Sequence, residues 1–167
     1  MIVAAEPSGV NVQKLAESMQ VMLGAADIPV NLRLEPAASA HAILQSGDYD
    51  MALTETVVAG GAPHLALFPL SASETATRGP RALNFSFYRN PRLDDVLIRA
   101  SQLSFRPERQ KLYARAQTML AADMPWVPIY VRLLWAVTRA EVRGLRLHPT
   151  GFHRLDTLAL DAGGVPR

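Results

Sequence analysis

Hydrophobic and polar positions in the first third of the chain follow two different periods. Apolar residues at helical spacing in residues 10–23 predict an amphipathic helix, and alternation over residues 28–34 predicts a strand. A strand at residues 2–5, a helix at 38–45 and a strand at 49–55 complete the series. The resulting β-α-β-α-β order is typical of a sheet with helices packed on it.

The second half is predicted to be mainly helical and then rich in strands. Helices are expected at residues 91–103 and 106–122, the first with Pro91 at its start and acidic residues in its first turn. A short helical segment is predicted at residues 62–68, and β-rich segments at 126–134 and 135–139. A strand at 157–160 is possible in an otherwise irregular tail. The predicted class is α/β or α+β, with a central mixed sheet flanked by helices.

Composition argues against an enzyme. The chain has 167 residues and no cysteine, so disulfides, thiolate metal sites and cysteine nucleophiles are excluded. It contains no G-x-S-x-G elbow, no P-loop, no dinucleotide glycine motif and no H-E-x-x-H. No apolar run approaches the length of a membrane span. Since the first residues show no charged leader or cleavage pattern, no signal peptide is expected in this chain.

The titratable residues suggest no metal or cofactor. Of the four histidines, His41, His64, His148 and His153, the last two lie on either side of Pro149 and Gly151 and are interpreted as surface loop residues. Asp48 and Asp50 lie on one side of a strand entrance and could chelate a cation, although a solvated strand start is the preferred interpretation. No metal site and no cofactor are therefore predicted.

Charge is distributed unevenly along the chain. Residues 1–77 carry two basic and eight acidic side chains, whereas residues 78–167 carry fifteen basic and seven acidic ones. A basic half can indicate nucleic-acid binding. Here the arginines are spread over predicted helices and strands, without a basic run or interleaved aromatic residues. Nucleic acid is therefore not expected as a partner.

An ordered set of motifs gives the chain its resemblance to a known family. Residues 84–100 have the sequence N-F-S-F-Y-R-N-P-R-L-D-D-V-L-I-R-A, and a helix with R-x-x-x-Y-x-x-A-Q-x-x-L follows from Arg109. A P-x-x-P-I-Y stretch begins at Pro125, V-x-G lies at Val142, and G-x-Y-D begins at Gly47. This set resembles the C-terminal lobe of family 5 extracellular solute-binding proteins, the dipeptide, oligopeptide and nickel receptors of ABC importers.

The resemblance implies a periplasmic-binding-protein-like (type II) lobe that clamps its ligand against a second lobe by hinge closure. Residues 1–149 would be the C-terminal substrate-binding lobe, and 150–167 a tail returning towards a first lobe that this chain does not contain. The full-length protein would be a periplasmic monomer, peripheral to the membrane, delivering a small-molecule or peptide-like ligand to ABC permease subunits. The alternatives are a ligand-sensing regulatory domain of the same fold and a small stand-alone enzyme.

The resemblance also suggests where the ligand binds. Peptide receptors of the family continue their G-x-Y-D strand into G-W-x-x-D, whose tryptophan packs on the ligand and whose aspartate pairs with its ammonium group. Without gaps, Thr56 falls at that tryptophan and Ala59 at that aspartate. We therefore expect a ligand other than an ordinary free-amino peptide, or a peptide held differently. The predicted ligand-binding residues are Thr54, Glu55, Thr56, Val57 and Ala59, with Arg78 and Arg81 for an anionic group.

Overall fold

The computed structural model describes residues 1–5, 11–57, 61–76, 83–131, 133, 135–148 and 153–161. Its helices are Val12–Gly24 (α1), Ala37–Ser46 (α2), Pro63–Ser71 (α3), Pro91–Gln102 (α4) and Arg106–Asp123 (α5), with a 3₁₀ turn at Ser73–Thr75. Its strands are Ile2–Ala5 (β1), Arg33–Pro36 (β2), Ala52–Leu53 (β3), Val142–Arg143 (β4) and Ala159–Leu160 (β5). Among the described residues, no helix is both long enough and apolar enough to span a bilayer.

The first three strands form a parallel sheet with β1 in the centre, in the order β2-β1-β3. Val3 of β1 and Leu53 of β3 pack with Val12 and Ala16 of α1, so the sheet and helix share one small core. This confirms an α/β class with helices packed on a sheet. The described strands of this sheet are all parallel, and the antiparallel pair β4–β5 forms separately.

Two predicted strands are shorter or displaced because a strand extends only where it has a partner. The alternation predicted a strand over 28–34, but pairing with β1 begins at Arg33, whose N–H donates to the Met1 carbonyl (3.0 Å). Likewise, the strand predicted over 49–55 pairs with β1 only at Ala52–Leu53. Alternating side chains thus located both segments, and the extent of pairing with β1 sets the observed strand bounds.

The larger core lies between α4 and α5. Asn90 caps α4, its Oδ1 accepting from the N–H groups of Arg92 (3.1 Å) and Leu93 (3.2 Å), and Pro91 begins the helix. The buried side chains of α4 pack against those of α5; they are Leu93, Val96, Leu97 and Ala100 in α4 and Tyr113, Ala116 and Leu120 in α5. Burying one large aliphatic side chain contributes about 1.5–3 kcal/mol, so this pair dominates the stability of the described chain.

Buried polar groups attach α3 and the following loop to this core. The amide of Asn84, a residue only 2% exposed, donates to the carbonyls of Ala72 (3.1 Å) and Tyr88 (2.9 Å). The indole N–H of Trp126 donates to the buried Ser71 hydroxyl (3.0 Å). Since a buried polar group is costly without a partner, these bonds fix the end of α3 relative to α4.

Gly47 and Tyr49 fix the position of the segment that leads into β3. Gly47 ends α2 in the left-handed conformation (φ 76°), and an added Cβ there would lie 3.1 Å from the Phe87 ring. The Tyr49 hydroxyl donates to the Phe85 carbonyl. The segment leading into β3 is therefore attached to the loop that precedes α4.

The C-terminal arm, defined here as residues 127–161, has little core of its own. Its β4–β5 pair requires Gly144 (φ 74°), where an added Cβ would lie 1.9 Å from the Thr157 carbonyl oxygen. The strand predicted at 157–160 is confirmed at Ala159–Leu160. The predictions of strands at 126–134 and 135–139 are wrong for the described residues, which form none. Their sequence favours a strand, but the described chain offers no partner strand there.

Candidate functional site

The candidate site lies at the carboxyl edge of the parallel sheet. Because β1 and β3 are parallel neighbours, both chains leave the sheet at this edge, where open α/β sheets usually bind ligands. Residues 54–57 form the described part of the exit from β3. Thr54 and Thr56 are exposed, and Val57 is 82% exposed. The exit thus presents two hydroxyl groups and open backbone to solvent.

Glu55 differs from its neighbours in being half-buried. One of its carboxylate oxygens, Oε2, is shielded from solvent. A carboxylate in this position can accept hydrogen bonds from a ligand or pair with a cation. Together, the exit residues can contact a ligand through backbone, hydroxyl and carboxylate groups.

The remaining predicted site residues, Ala59, Arg78 and Arg81, lie outside the described residues. The structure therefore brings together the four consecutive residues Thr54 to Val57 as one exposed exit. The involvement of Ala59 and of the two arginines stays a prediction from the sequence.

His64 is a residue whose surroundings the sequence interpretation missed. It lies in the first turn of α3, within the helical segment predicted at residues 62–68, and it is half-buried with its ring 4.7 Å from that of Phe68. Its Nδ1 is buried and has no hydrogen-bond partner among the described residues. Pro63 immediately before it was the available signal, because proline favours the first position of a helix.

His41 lies in α2, where the sequence predicted a helix over residues 38–45. It is half-buried in α2, within 3.0 Å of the Gln45 amide and edge-on to Phe85. His148 and His153 are loop residues as predicted, with the His148 N–H donating to Nδ1 of His153 (3.1 Å). In the described part of the chain, no three His, Asp or Glu side chains form a group that could hold a metal ion.

Tyr49 lies on the segment that leads into β3, at the strand end opposite the candidate site. Burial raises the pKa of its hydroxyl above the ordinary value of 10, so it stays protonated near neutral pH. A neutral hydroxyl donor suits its bond to the Phe85 carbonyl. Its role is to position the strand.

Comparison of sequences gives two kinds of relative. No family model matches the chain. The chain is 27% identical over 136 residues to "Probable di/tripeptide-binding protein 5" of Pseudomonas aeruginosa, covering 81% of this chain and 25% of that protein. It is 34% identical over 88 residues to the glutathione-binding protein GsiB of Escherichia coli, covering 52% of this chain and 17% of the relative.

Solved structures share the fold over nearly the whole chain. A periplasmic binding protein, DppA of Helicobacter pylori in complex with the peptide STSA, matches 96% of this chain and 30% of its own length (TM-score 0.71, 22% identity). A dipeptide-binding protein of Pseudoalteromonas in complex with Met-Leu matches 96% of this chain and 32% of its own (TM-score 0.72, 23% identity). This chain is a partial match to the family 5 extracellular solute-binding proteins.

The comparison confirms the family resemblance found in the motifs and the fold expected from it. The relatives named here are peptide-binding or glutathione-binding proteins by name. The chain spans about a third or less of the length of each protein it matches.

Proposed function

We propose that this chain is the substrate-binding lobe of a periplasmic receptor that delivers a peptide-like or other small solute to an ABC importer. The observation that carries the proposal is the exposed exit from β3 at the carboxyl edge of the sheet. Residues 1–149 form the lobe, and residues 150–167 return towards a first lobe outside this chain. Ligand binds between the lobes as they close about a hinge.

Ligand recognition at the exit relies on backbone and on Glu55. An extended peptide can pair with open backbone at a strand end without a particular side chain. The exposed Thr54 and Thr56 leave that backbone accessible, and Glu55 is the acid nearest to it. The relatives bind di- and tripeptides or glutathione, which supports a short peptide-like ligand. The full-length receptor acts as a monomer and passes the ligand to permease subunits.

Calorimetry on a two-lobe protein tests this function. This chain would replace the matched segment of the Pseudomonas di/tripeptide-binding protein, and the hybrid would be titrated with di- and tripeptides and with glutathione. We expect saturable binding of at least one peptide-like ligand. Glu55→Ala should weaken it about tenfold, equivalent to roughly 1.4 kcal/mol, while Ala59→Asp should weaken it less.

The matched control is Glu17→Ala, which removes an exposed acid of α1 whose partner is Gln13. It should leave the affinity unchanged. A larger loss from Ala59→Asp than from Glu55→Ala would show that recognition does not depend on Glu55. A folded hybrid that binds none of these ligands would contradict the proposed peptide-like specificity.

A further inference from the structure

The described chain has two separate hydrophobic cores. The first joins the parallel sheet to α1, and the second joins α3, α4 and α5. No described residue belongs to both cores. Leu53 of β3 packs in the first core and Leu67 of α3 in the second, although the two elements follow each other in the chain. The position of β3 relative to α3 therefore depends on contacts outside either core.

A tight turn at residues 84–87 is attached to the end of α3 by one buried side chain. The Phe87 N–H donates to the Asn84 carbonyl (3.1 Å), and the Asn84 Oδ1 accepts from the Tyr88 N–H (3.2 Å). The amide of the same Asn84 side chain donates to the Ala72 carbonyl (3.1 Å). Since Ala72 directly follows α3, these bonds connect the turn to that helix.

The same turn contacts the segment that leads into β3. The Phe85 carbonyl accepts from the Tyr49 hydroxyl, and the Phe85 ring lies edge-on to that of His41, with centroids 5.9 Å apart. The Phe87 ring lies close to Gly47, where an added Cβ would approach it to 3.1 Å. The turn is thus attached both to the segment before β3 and to the end of α3.

The backbone of Phe87 is strained in this turn. Its φ of 53° lies in the left-handed region, which bulky side chains rarely adopt. Such a conformation persists only where the surrounding structure imposes it, and it often marks a functional constraint. Glycine would adopt this conformation more easily. The Phe87 ring, with its contact to Gly47, is therefore present despite backbone strain.

We propose that Asn84, Phe85 and Phe87 are positioning residues for ligand binding at the exit from β3. The inference rests on the proposed function, since it takes residues 54–57 as the ligand-binding segment. Residues 54–62 join β3 to α3, and the turn is attached to the chain on both sides of that connection. The turn thereby determines where the exit lies relative to α3.

The bond between Tyr49 and Phe85 provides the most conservative test. In the hybrid with the Pseudomonas protein, Tyr49→Phe should weaken the tightest-binding of the di- and tripeptides and glutathione by about fivefold, which corresponds to one lost hydrogen bond. The matched control is Tyr88→Phe, which removes a hydroxyl bond to Asp123 at the end of α5. It should lower the thermal midpoint and leave the affinity unchanged. Equal losses of affinity in both variants would reduce the effect to general destabilisation and overturn the proposal.

A second variant changes the turn itself. Phe85→Leu removes the ring contact with His41 and should weaken the same ligand by about threefold. Its matched control is Phe105→Leu, at a residue that is 62% exposed and precedes α5. That variant should bind as tightly as the unsubstituted hybrid. Unchanged affinity in both Phe85→Leu and Tyr49→Phe would contradict a positioning role.

Hydrogen exchange in the isolated 167-residue chain tests the turn without a ligand. The Ile2 N–H donates to the Met51 carbonyl (2.9 Å), so its exchange rate reports on the attachment of the β3 segment to β1. Tyr49→Phe should speed this exchange by about fivefold, and Tyr88→Phe should speed it less.

The two proposals fail separately. A hybrid that binds none of the peptides would contradict the ligand class, and the exchange of the Ile2 amide would then decide the role of the turn. Faster exchange in Tyr49→Phe than in Tyr88→Phe would support positioning by the turn. Equal rates in the two variants would overturn it, even if the hybrid binds a peptide.

Discussion

Leu97 in α4 and Leu133 in the C-terminal arm are the same residue type in opposite surroundings. Leu97 is completely buried between α4 and α5, whereas Leu133 is 70% exposed. The two helices are close in sequence, so each supplies the other with an apolar face. The arm has an equally apolar sequence but no complementary face among the described residues. An apolar side chain is therefore buried in this chain only where the described residues supply a facing apolar surface.

The largest expected effect comes from exchanging these two leucines for alanine in the isolated chain. Leu97→Ala should reduce the free energy of unfolding by about 2–5 kcal/mol, because it leaves a cavity between tightly packed helices. Leu133→Ala should change it by less than about 0.5 kcal/mol. Urea denaturation measures both. Similar losses for the two variants would mean that the arm is packed against this chain after all.

A smaller effect is expected from Tyr88→Phe. The Tyr88 hydroxyl donates to Oδ2 of Asp123 (2.5 Å) and accepts from the Asn90 amide (2.8 Å), which joins the start of α4 to the end of α5. Losing these bonds should cost about 1 kcal/mol. Tyr130→Phe in the arm, at a residue that is 40% exposed, is the matched control and should be neutral at pH 7. Urea unfolding of both variants checks the difference.

The pH dependence of Tyr88 sharpens this prediction. Burial, and then the hydrogen bond to Asp123, raise the pKa of Tyr88 above its ordinary value of 10. Since the folded pKa exceeds the unfolded one, the contribution is complete below about pH 10 and is lost as pH rises through the folded value. When the pH rises above 10, the Tyr88→Phe variant should therefore lose less of its free energy of unfolding than the wild type does. An identical alkaline slope in both would contradict this assignment.

The smallest effect is expected within the arm. Arg154 donates to both carboxylate oxygens of Asp156, with Nη2–Oδ2 at 2.5 Å and Nε–Oδ1 at 3.1 Å, and this holds the pKa of Asp156 below its ordinary value. Arg154→Ala should raise that pKa, as carboxyl NMR titration can measure. Any stabilisation would be present above the unfolded pKa and lost as pH falls through the folded one.

Because Arg154 and Asp156 are both exposed, water and salt screen the pair. The thermal midpoint of Arg154→Ala should therefore match that of the wild type from pH 5 to 8. A drop of several degrees would show that this ion pair has a structural role in the isolated chain.

An element was predicted well where the residues that determine it lie close to it in the sequence. Helices α4 and α5 were predicted to within a residue or two because Asn90, Pro91 and the apolar spacing act within one or two turns. The true start of β2 at Arg33 depends on β1, which is distant in sequence. The strands predicted between 126 and 139 failed for the same reason, since pairing requires a second chain segment.

The position of the β3 exit was predictable from the sequence, and its surroundings were less so. The G-x-Y-D motif from Gly47 located the exit of β3 at the carboxyl edge of the sheet. Nothing local in the sequence indicated that Glu55 is half-buried, whereas the contact of His64 with Phe68 follows from their i, i+4 spacing in a predicted helix.

The attachment of β3 through Gly47 and Tyr49 has a consequence for how this fold could diversify. Gly47 lies close to the Phe87 ring, and the Tyr49 hydroxyl donates to the Phe85 carbonyl. Both residues precede the strand, and neither belongs to the exit at 54–57. Placement of the strand is thereby separated from the chemistry of the exit residues. Substitutions in the exit can change its side-chain chemistry while the strand keeps its position in the sheet. A lineage with this fold can thus alter the surface of the exit by mutation of a few adjacent codons.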